Sequence, residues 1–143
     1  MSYLLDVNVL LALAWPNHVH HNAARTWFAD SASAGWATCS VTESGFIRVS
    51  SNVRVTPDAR TPSEAALLLN RICSLAGHEF IVDSVSLATA HSLIGEMAHV
   101  SSDVTDAHLI LLAREVSATF VTFDRKAAEI ATRNEVASVL LRS

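Results

Sequence analysis

The chain has 143 residues, of which 50% are hydrophobic and 17% charged, so it can fill the core of one domain and is too apolar for intrinsic disorder. No apolar run approaches the ~20 residues of a membrane-spanning helix, and the apolar N-terminus lacks the basic leading segment of a signal peptide. The net charge of −4 does not exclude a nucleic-acid partner, because cations bound to clustered acids would offset it.

Short apolar runs alternate with helical patterns along the chain, and Pro16, Pro62 and Gly77 mark boundaries between them. In chain order the patterns predict a strand at residues 3–5, helices at 7–15 and 19–32, a strand at 36–39, a helix around 45–49, a loop over 50–58, a helix at 62–75, a strand at 80–82, helices at 87–97 and 104–116, a strand at 119–123, a helix at 125–133 and a closing strand at 137–141. Strands separated by helices favour an α/β fold, an open parallel sheet flanked by helices on both faces. The sequence contains no repeat or linker, which predicts a single domain over residues 1–143.

The cysteine and histidine residues give no pattern typical of a zinc site. Cys39 and Cys73 are interpreted as reduced, buried thiols, which favours a cytoplasmic protein. His18, His20 and His21 match no standard ligand spacing and are expected to be solvated residues at a helix start, with contact to a nucleic acid as the alternative.

Four acidic residues stand where strands lead into helices. Asp6 directly follows the first strand, Glu43 lies just past the second, and Asp124 directly follows the fourth. Asp106 opens a later helix. Each acid taken alone is more simply explained as a helix cap, and Ser40 with Glu43 even has the spacing of a capping box.

Taken together, the four acids predict a metal site. Ligands of an open parallel sheet bind beyond the carboxyl ends of its strands, so Asp6, Glu43 and Asp124 converge if their strands are neighbours. Close carboxylates repel one another by on the order of several kcal/mol per pair at an effective dielectric of ~20, and protonation or a cation has to relieve this. Ligation by carboxylate oxygens suits Mg²⁺ or Mn²⁺, which activate water and stabilise charge on a phosphoryl oxygen.

In these motifs the sequence resembles a PIN-domain ribonuclease, specifically a VapC-type toxin of the type II toxin–antitoxin systems. The matching elements follow one another in the family's order and spread over nearly the whole chain. They are Leu4-Leu-Asp-Val-Asn-Val-Leu-Leu-Ala-Leu, Thr42-Glu-Ser-Gly-Phe-Ile-Arg-Val, Val104-Thr-Asp-Ala-His-Leu and Val121-Thr-Phe-Asp. The resemblance implies a PIN-like fold, an Mg²⁺-dependent endoribonuclease, a cognate antitoxin that blocks the site and, usually, a homodimer.

The family's acidic quartet carries over onto Asp6, Glu43, Asp106 and Asp124 as catalytic residues and metal ligands. In the mechanism that we infer from this quartet, Asp6 and Asp106 hold the main metal. Glu43 and Asp124 complete the site directly or through water, and one of them orients the attacking water. Asp103, three residues before Asp106, is a possible auxiliary ligand, although we interpret it rather as a helix cap.

Side chains near the acids are candidates for supporting roles. Hydroxyl and amide groups that could hold ligating carboxylates in place belong to Asn8, Thr105 and Thr122. Basic groups that could contact RNA phosphates belong to Arg48, Arg125 and Lys126. Each has an ordinary alternative, since Asn8 could equally begin a helix and the basic residues could be solvated surface groups.

Three other functions remain open from the sequence. A receiver-like phosphoacceptor domain would need adjacent acids after the first strand and a lysine ending a late strand, whereas only Asp6 and, inside a helix start, Lys126 are present. A haloacid-dehalogenase-like phosphatase would normally have a second aspartate where Asn8 stands. A catalytically inactive PIN scaffold that only binds an antitoxin is disfavoured by the full acidic set.

Overall fold

A five-stranded parallel sheet organises the computed structural model, which describes residues 2–142. The strands are β1 (Tyr3–Leu5), β2 (Trp36–Cys39), β3 (His78–Ile81), β4 (Thr119–Thr122) and β5 (Ser138–Leu140). Their order across the sheet is β3-β2-β1-β4-β5, and every neighbouring pair is parallel. The predicted open parallel α/β sheet is therefore confirmed.

Seven α-helices connect or follow these strands. They are α1 (Val7–Ala14), α2 (His21–Ser31), α3 (Ser40–Ser50), α4 (Pro62–Cys73), α5 (His91–Met97), α6 (Val104–Glu115) and α7 (Arg125–Arg133). Short 3-10 turns at Ala32–Ala34 and Ser101–Asp103 complete the regular structure of the described residues. None of the helices within residues 2–142 combines the length and apolarity needed to cross a bilayer.

The helices cover both faces of the sheet because neighbouring residues of a strand point to opposite sides. Leu4 and Phe120 belong to the core cluster that includes buried residues of α6 and α7. Leu5 and Val121, the next residues along the same strands, belong to a second cluster with α1, α3 and α4. Trp36 is fully buried in this second cluster. The two clusters are thus the two layers predicted on either side of the sheet.

The third strand begins two residues earlier than predicted, at His78. Gly77 adopts a φ of +89°, and its carbonyl oxygen accepts a hydrogen bond from Trp36 N, so pairing with β2 starts at once. The prediction of the fifth helix was also wrong at its start, since residues 87–90 form a turn and α5 begins at His91. The earlier start of β3 places His78 on the sheet.

The order of the strands decides where the acidic residues meet. β1 pairs with β2 on one side and with β4 on the other, so the carboxyl ends of these three strands are neighbours. The chain leaves these ends at Asp6, at Ser40 and at Phe123. The adjacency on which the predicted site depends is therefore present.

Candidate metal centre

Asp6 is buried at the end of β1, where its carboxylate does two things. Oδ1 accepts a hydrogen bond from Val7 N (2.7 Å) and so caps α1, and Oδ2 accepts one from Thr122 Oγ1 (2.8 Å). Burial raises the pKa of Asp6, the two hydrogen bonds oppose this, and the charge of Asp124 adds to it. Helix capping and membership of an acidic site are thus compatible at this residue.

The Thr122 hydroxyl joins the ends of β1 and β4. It donates to Asp6 and accepts from Asp124 N (3.0 Å) and from Asn8 Nδ2 (3.1 Å). Asn8 Nδ2 also donates a hydrogen bond to Asp6 Oδ2 (3.3 Å), and Asn8 Oδ1 accepts one from Phe123 N (3.1 Å). Asn8 and Thr122 therefore fix the relative positions of the first and last acids of the site.

Asp106 and Asp124 face the same region as Asp6. Asp106 lies in the first turn of α6, and burial, followed by the charges of Asp6 and Asp124, raises its pKa to about 7. Asp124 is exposed and caps α7 by accepting from Lys126 N (2.9 Å). Three carboxylates from separate parts of the chain are close enough for their charges to act on one another.

Asp103 caps the start of the 3-10 turn Ser101–Asp103, whereas its side chain makes no cap hydrogen bond to α6, the helix that the sequence suggested. Its buried carboxylate accepts hydrogen bonds from His99 N (3.0 Å) and Val100 N (3.3 Å) and pairs with Lys126 Nζ at 2.7 Å. The hydrogen bond from Lys126, followed by that from His99, lowers the pKa of Asp103 to about 2. The ammonium group of Lys126 is thus engaged with Asp103, and the neighbouring Thr105 is exposed.

Glu43 lies in the first turn of α3, and its carboxylate is hydrogen-bonded to Thr38. Oε2 accepts a hydrogen bond from Thr38 Oγ1 (2.7 Å), which lies 2.8 Å from His78 Nε2. One ligand atom each of Glu43, Cys73 and His78 lie within 4.8 Å of one another. Thr38 follows Trp36 by two residues and therefore points to the same face of the sheet, which α3 and α4 cover. Asp106 lies on α6, which packs on the opposite face. Asp6, Asp106 and Asp124 are thus within electrostatic reach of one another, and Glu43 forms a group with Cys73 and His78.

The basic and histidine residues occupy the surroundings of the site. Arg48, in the last turn of α3, and Arg125, at the start of α7, are both exposed. The ring of His20 stacks on Phe123 with centroids 4.5 Å apart, and His21 Nδ1 lies 2.7 Å from the carbonyl oxygen of Ala12. His20 and His21 are therefore half-buried and in contact with protein groups, and the prediction that they are solvated was wrong.

Asp6, Asp106 and Asp124 fit a hard divalent cation. They offer carboxylate oxygens, the ligands that Mg²⁺ and Mn²⁺ prefer. The pKa of Asp106 is raised first by burial and then by the negative charges of Asp6 and Asp124, so its ionised form is disfavoured when no cation is bound. A bound dication would relieve that repulsion.

Comparisons with known proteins found a matching family model and similar relatives. The PIN domain family model matches residues 3–133. Ribonuclease VapC39 of Mycobacterium tuberculosis is 48% identical over 134 residues, which cover 92% of this chain and 95% of that protein. Ribonuclease VapC38 of the same organism is 46% identical over 123 residues, which cover 85% of this chain and 84% of that protein.

Two solved structures have a similar fold. VapBC2 from Rickettsia felis, bound to a DNA fragment from its promoter, aligns with a TM-score of 0.71 at 14% identity and covers 99% of this chain and 100% of that chain. VapC20 of Mycobacterium tuberculosis, a toxin that cleaves the sarcin–ricin loop, aligns with a TM-score of 0.69 at 14% identity and covers 89% of this chain and 93% of that chain. With the family model and the relatives, the resemblance carried by the four motifs is confirmed, and the chain belongs to the PIN-domain family.

Proposed function

We propose that this protein is an Mg²⁺-dependent endoribonuclease and the toxin of a toxin–antitoxin pair, with one PIN domain over residues 1–143. The observation that carries the proposal is the convergence of Asp6, Asp106 and Asp124 beyond the ends of β1 and β4. Relatives that align over most of their length are named ribonucleases, which supports RNA as the substrate.

Asp6 and Asp106 are the residues that would hold the main cation, with Mn²⁺ as a substitute for Mg²⁺. Both are more buried than Asp124, and their carboxylates come from different elements, so they can approach one ion from two sides. When bound, the ion would activate water and stabilise the negative charge that builds on the phosphoryl oxygens. Thr122 and Asn8 keep the Asp6 carboxylate oriented for this role.

We assign to Asp124 the orientation of the attacking water. Its side chain is the exposed member of the three, so water and RNA can reach it. The hydrogen bond from Lys126 N fixes one of its two carboxylate oxygens. Attack on phosphorus then breaks the bond to the leaving ribose oxygen, and no side chain needs to form a covalent bond with the RNA. Glu43 would complete the site directly or through water, after its hydrogen bond with Thr38 is broken.

The proposal includes partners as well as a substrate. Solved relatives of similar fold are VapBC and FitAB complexes, which supports a cognate antitoxin that covers the acidic site. We further propose a homodimer, as the resemblance implies, and a cytoplasmic location, which the unpaired cysteines favour. Arg48 and Arg125 are exposed and would contact RNA phosphates, whereas Lys126 would have to leave Asp103 to do so.

The test is cleavage of total RNA by the purified protein. Cleavage should require Mg²⁺ or Mn²⁺, stop on chelation and return when the ion is restored. Asp6→Ala should lower the rate by on the order of 100-fold or more, because a carboxylate that holds the ion is lost.

Asp30→Ala is the matched control, since Asp30 is an exposed aspartate in the last turn of α2. It should cleave at the wild-type rate, and circular dichroism should show both variants folded. Undiminished cleavage by folded Asp6→Ala would refute the assignment. An acyl phosphate formed at Asp6 from a small phosphodonor would favour the receiver or phosphatase alternatives instead.

A further inference from the structure

The group formed by Glu43, Cys73 and His78 has the composition of a transition-metal site. It offers a carboxylate oxygen, a thiol sulphur and an imidazole nitrogen, all within 4.8 Å of one another. Zn²⁺ accepts this mixture of ligands, whereas Mg²⁺ takes oxygen ligands and keeps several waters. The chemistry of this group therefore differs from that of the three aspartates.

The distances leave a modest rearrangement for metal binding. Bond lengths of ~2.0–2.3 Å in a tetrahedral zinc site put ligand atoms roughly 3.3–3.8 Å apart. Ligand atoms now separated by at most 4.8 Å need to approach by about 1 Å, which small side-chain rotations provide. All three side chains are half-buried, so an ion can reach them from solvent.

Thr38 has a hydrogen-bonding contact with each of the three side chains. Its hydroxyl lies 2.7 Å from Glu43 Oε2 and 2.8 Å from His78 Nε2. The ring of His78 also packs on Trp36, with centroids 4.7 Å apart. Oriented hydrogen bonds of this kind are what position ligating residues in metal sites.

Binding of zinc would release a proton from the group. Zinc coordinates the thiolate form of cysteine and the neutral form of histidine, so the ion would displace the proton of the Cys73 thiol.

We propose that Glu43, Cys73 and His78 bind one Zn²⁺ ion, with water in a fourth position, at a site on the α3 and α4 face of the sheet. A further consequence rests on the proposed function. If Glu43 takes part in RNA cleavage, its carboxylate cannot act together with the three aspartates while it is bound to zinc. Micromolar Zn²⁺ should then inhibit cleavage in the presence of millimolar Mg²⁺.

Co²⁺ serves as the spectroscopic probe for zinc binding to the full chain. Titration of metal-free protein should produce a thiolate-to-cobalt charge-transfer band that saturates at one equivalent and disappears when Zn²⁺ is added. Cys73→Ser should lose the band, and Thr38→Val should bind Co²⁺ about 10–100-fold more weakly because the ligands lose their orientation. Cys39→Ala is the matched control because it removes the other cysteine, and it should keep the band.

The outcomes separate this proposal from the proposed function. A missing band in the wild-type protein, or a band that persists in folded Cys73→Ser, would overturn the zinc site whatever the protein does to RNA. If Cys73→Ser fails to fold, His78→Gln takes its place, and an unchanged Co²⁺ affinity in that variant would equally overturn it. A Cys73-dependent band in a protein that cuts no RNA would leave the zinc site standing and remove the nuclease proposal.

Discussion

Neutralising Asp106 should stabilise the metal-free protein. In the absence of a cation, burial and the charges of Asp6 and Asp124 raise the pKa of Asp106 from 3.8 to about 7. One pKa unit corresponds to about 1.4 kcal/mol, so the full rise would destabilise the ionised folded state by about 4 kcal/mol. The side chain is only partly buried, and solvent screens the interaction. We therefore expect Asp106→Asn to raise the free energy of unfolding by ~1–2 kcal/mol.

The assay is thermal unfolding in EDTA at two pH values. For a chain of this length the gain corresponds to a Tm increase of ~3–7 °C. The pKa of Asp106 is higher in the folded state than in the unfolded state. The destabilisation by its ionised carboxylate is therefore absent below pH 3.8, grows as pH rises and is complete above about pH 7. The gain should thus be large at about pH 8 and less than half as large at about pH 5.

Asp30→Asn is the control for the loss of one negative charge. It removes an exposed carboxylate from α2 and should change stability by less than ~0.5 kcal/mol. With saturating Mg²⁺ the order should reverse, since the ion stabilises the wild-type protein by binding its folded state. A destabilised Asp106→Asn protein in EDTA at the higher pH, or a gain that does not change with pH, would refute the electrostatic reasoning.

Three further predictions concern residues that position the site. Thr122→Val should lower RNA cleavage by about 10–100-fold, whereas Thr122→Ser keeps the hydroxyl and most of the rate; equal rates in a cleavage assay would contradict the role of the hydroxyl. Gly77→Ala should lower the free energy of unfolding by at least ~1 kcal/mol, as measured by urea unfolding. The reason is that Gly77 has a φ of +89° and that a Cβ there would collide with the Ala32 carbonyl oxygen. Lys126→Ala should raise the pH at which acid unfolds the protein, because the lowered pKa of Asp103 contributes stability above pH 3.8 that is lost as pH falls towards 2; an unchanged acid transition would show that the ion pair contributes nothing.

The fold could be predicted because local patterns and global topology agree. Apolar strands of three to five residues alternate with helices, and that alternation favours a parallel sheet with two helical layers. The start of β3 was missed because Gly77, a helix-stop signal in the sequence, also delivers the chain directly into pairing with β2. Such a dual role depends on a tertiary contact that a single sequence does not display.

The position of a candidate site residue could be predicted where that residue directly follows a strand. Asp6 and Asp124 had their positions set by β1 and β4, so their approach followed from the order of the strands. Glu43 lies several residues past β2, where its direction depends on the start of α3. The expected Ser40–Glu43 capping box was wrong, since Cys39 N donates to Thr42 Oγ1 (2.9 Å) instead and Glu43 is free to bond with Thr38.

The group around Glu43 could not be found from the sequence. Cys73 ends α4, and His78 begins a strand whose start was placed two residues later, so no face could be assigned to its side chain. Thr38 faces them only because β2 and β3 are paired in the observed register. Such clusters depend on side-chain direction rather than on spacing.

Attachment of the acids to the middle of the sheet has a consequence for how the protein can be controlled. β1 and β4 each pair with a strand on both sides, so their amides should be among the slowest to exchange with solvent hydrogen. Loosening the arrangement of Asp6 and Asp124 would mean opening the part of the molecule that opens last. Inhibition therefore has to come from another molecule that occupies the site or removes its ion. Once such an inhibitor dissociates, the acids are already in position and no refolding step is needed.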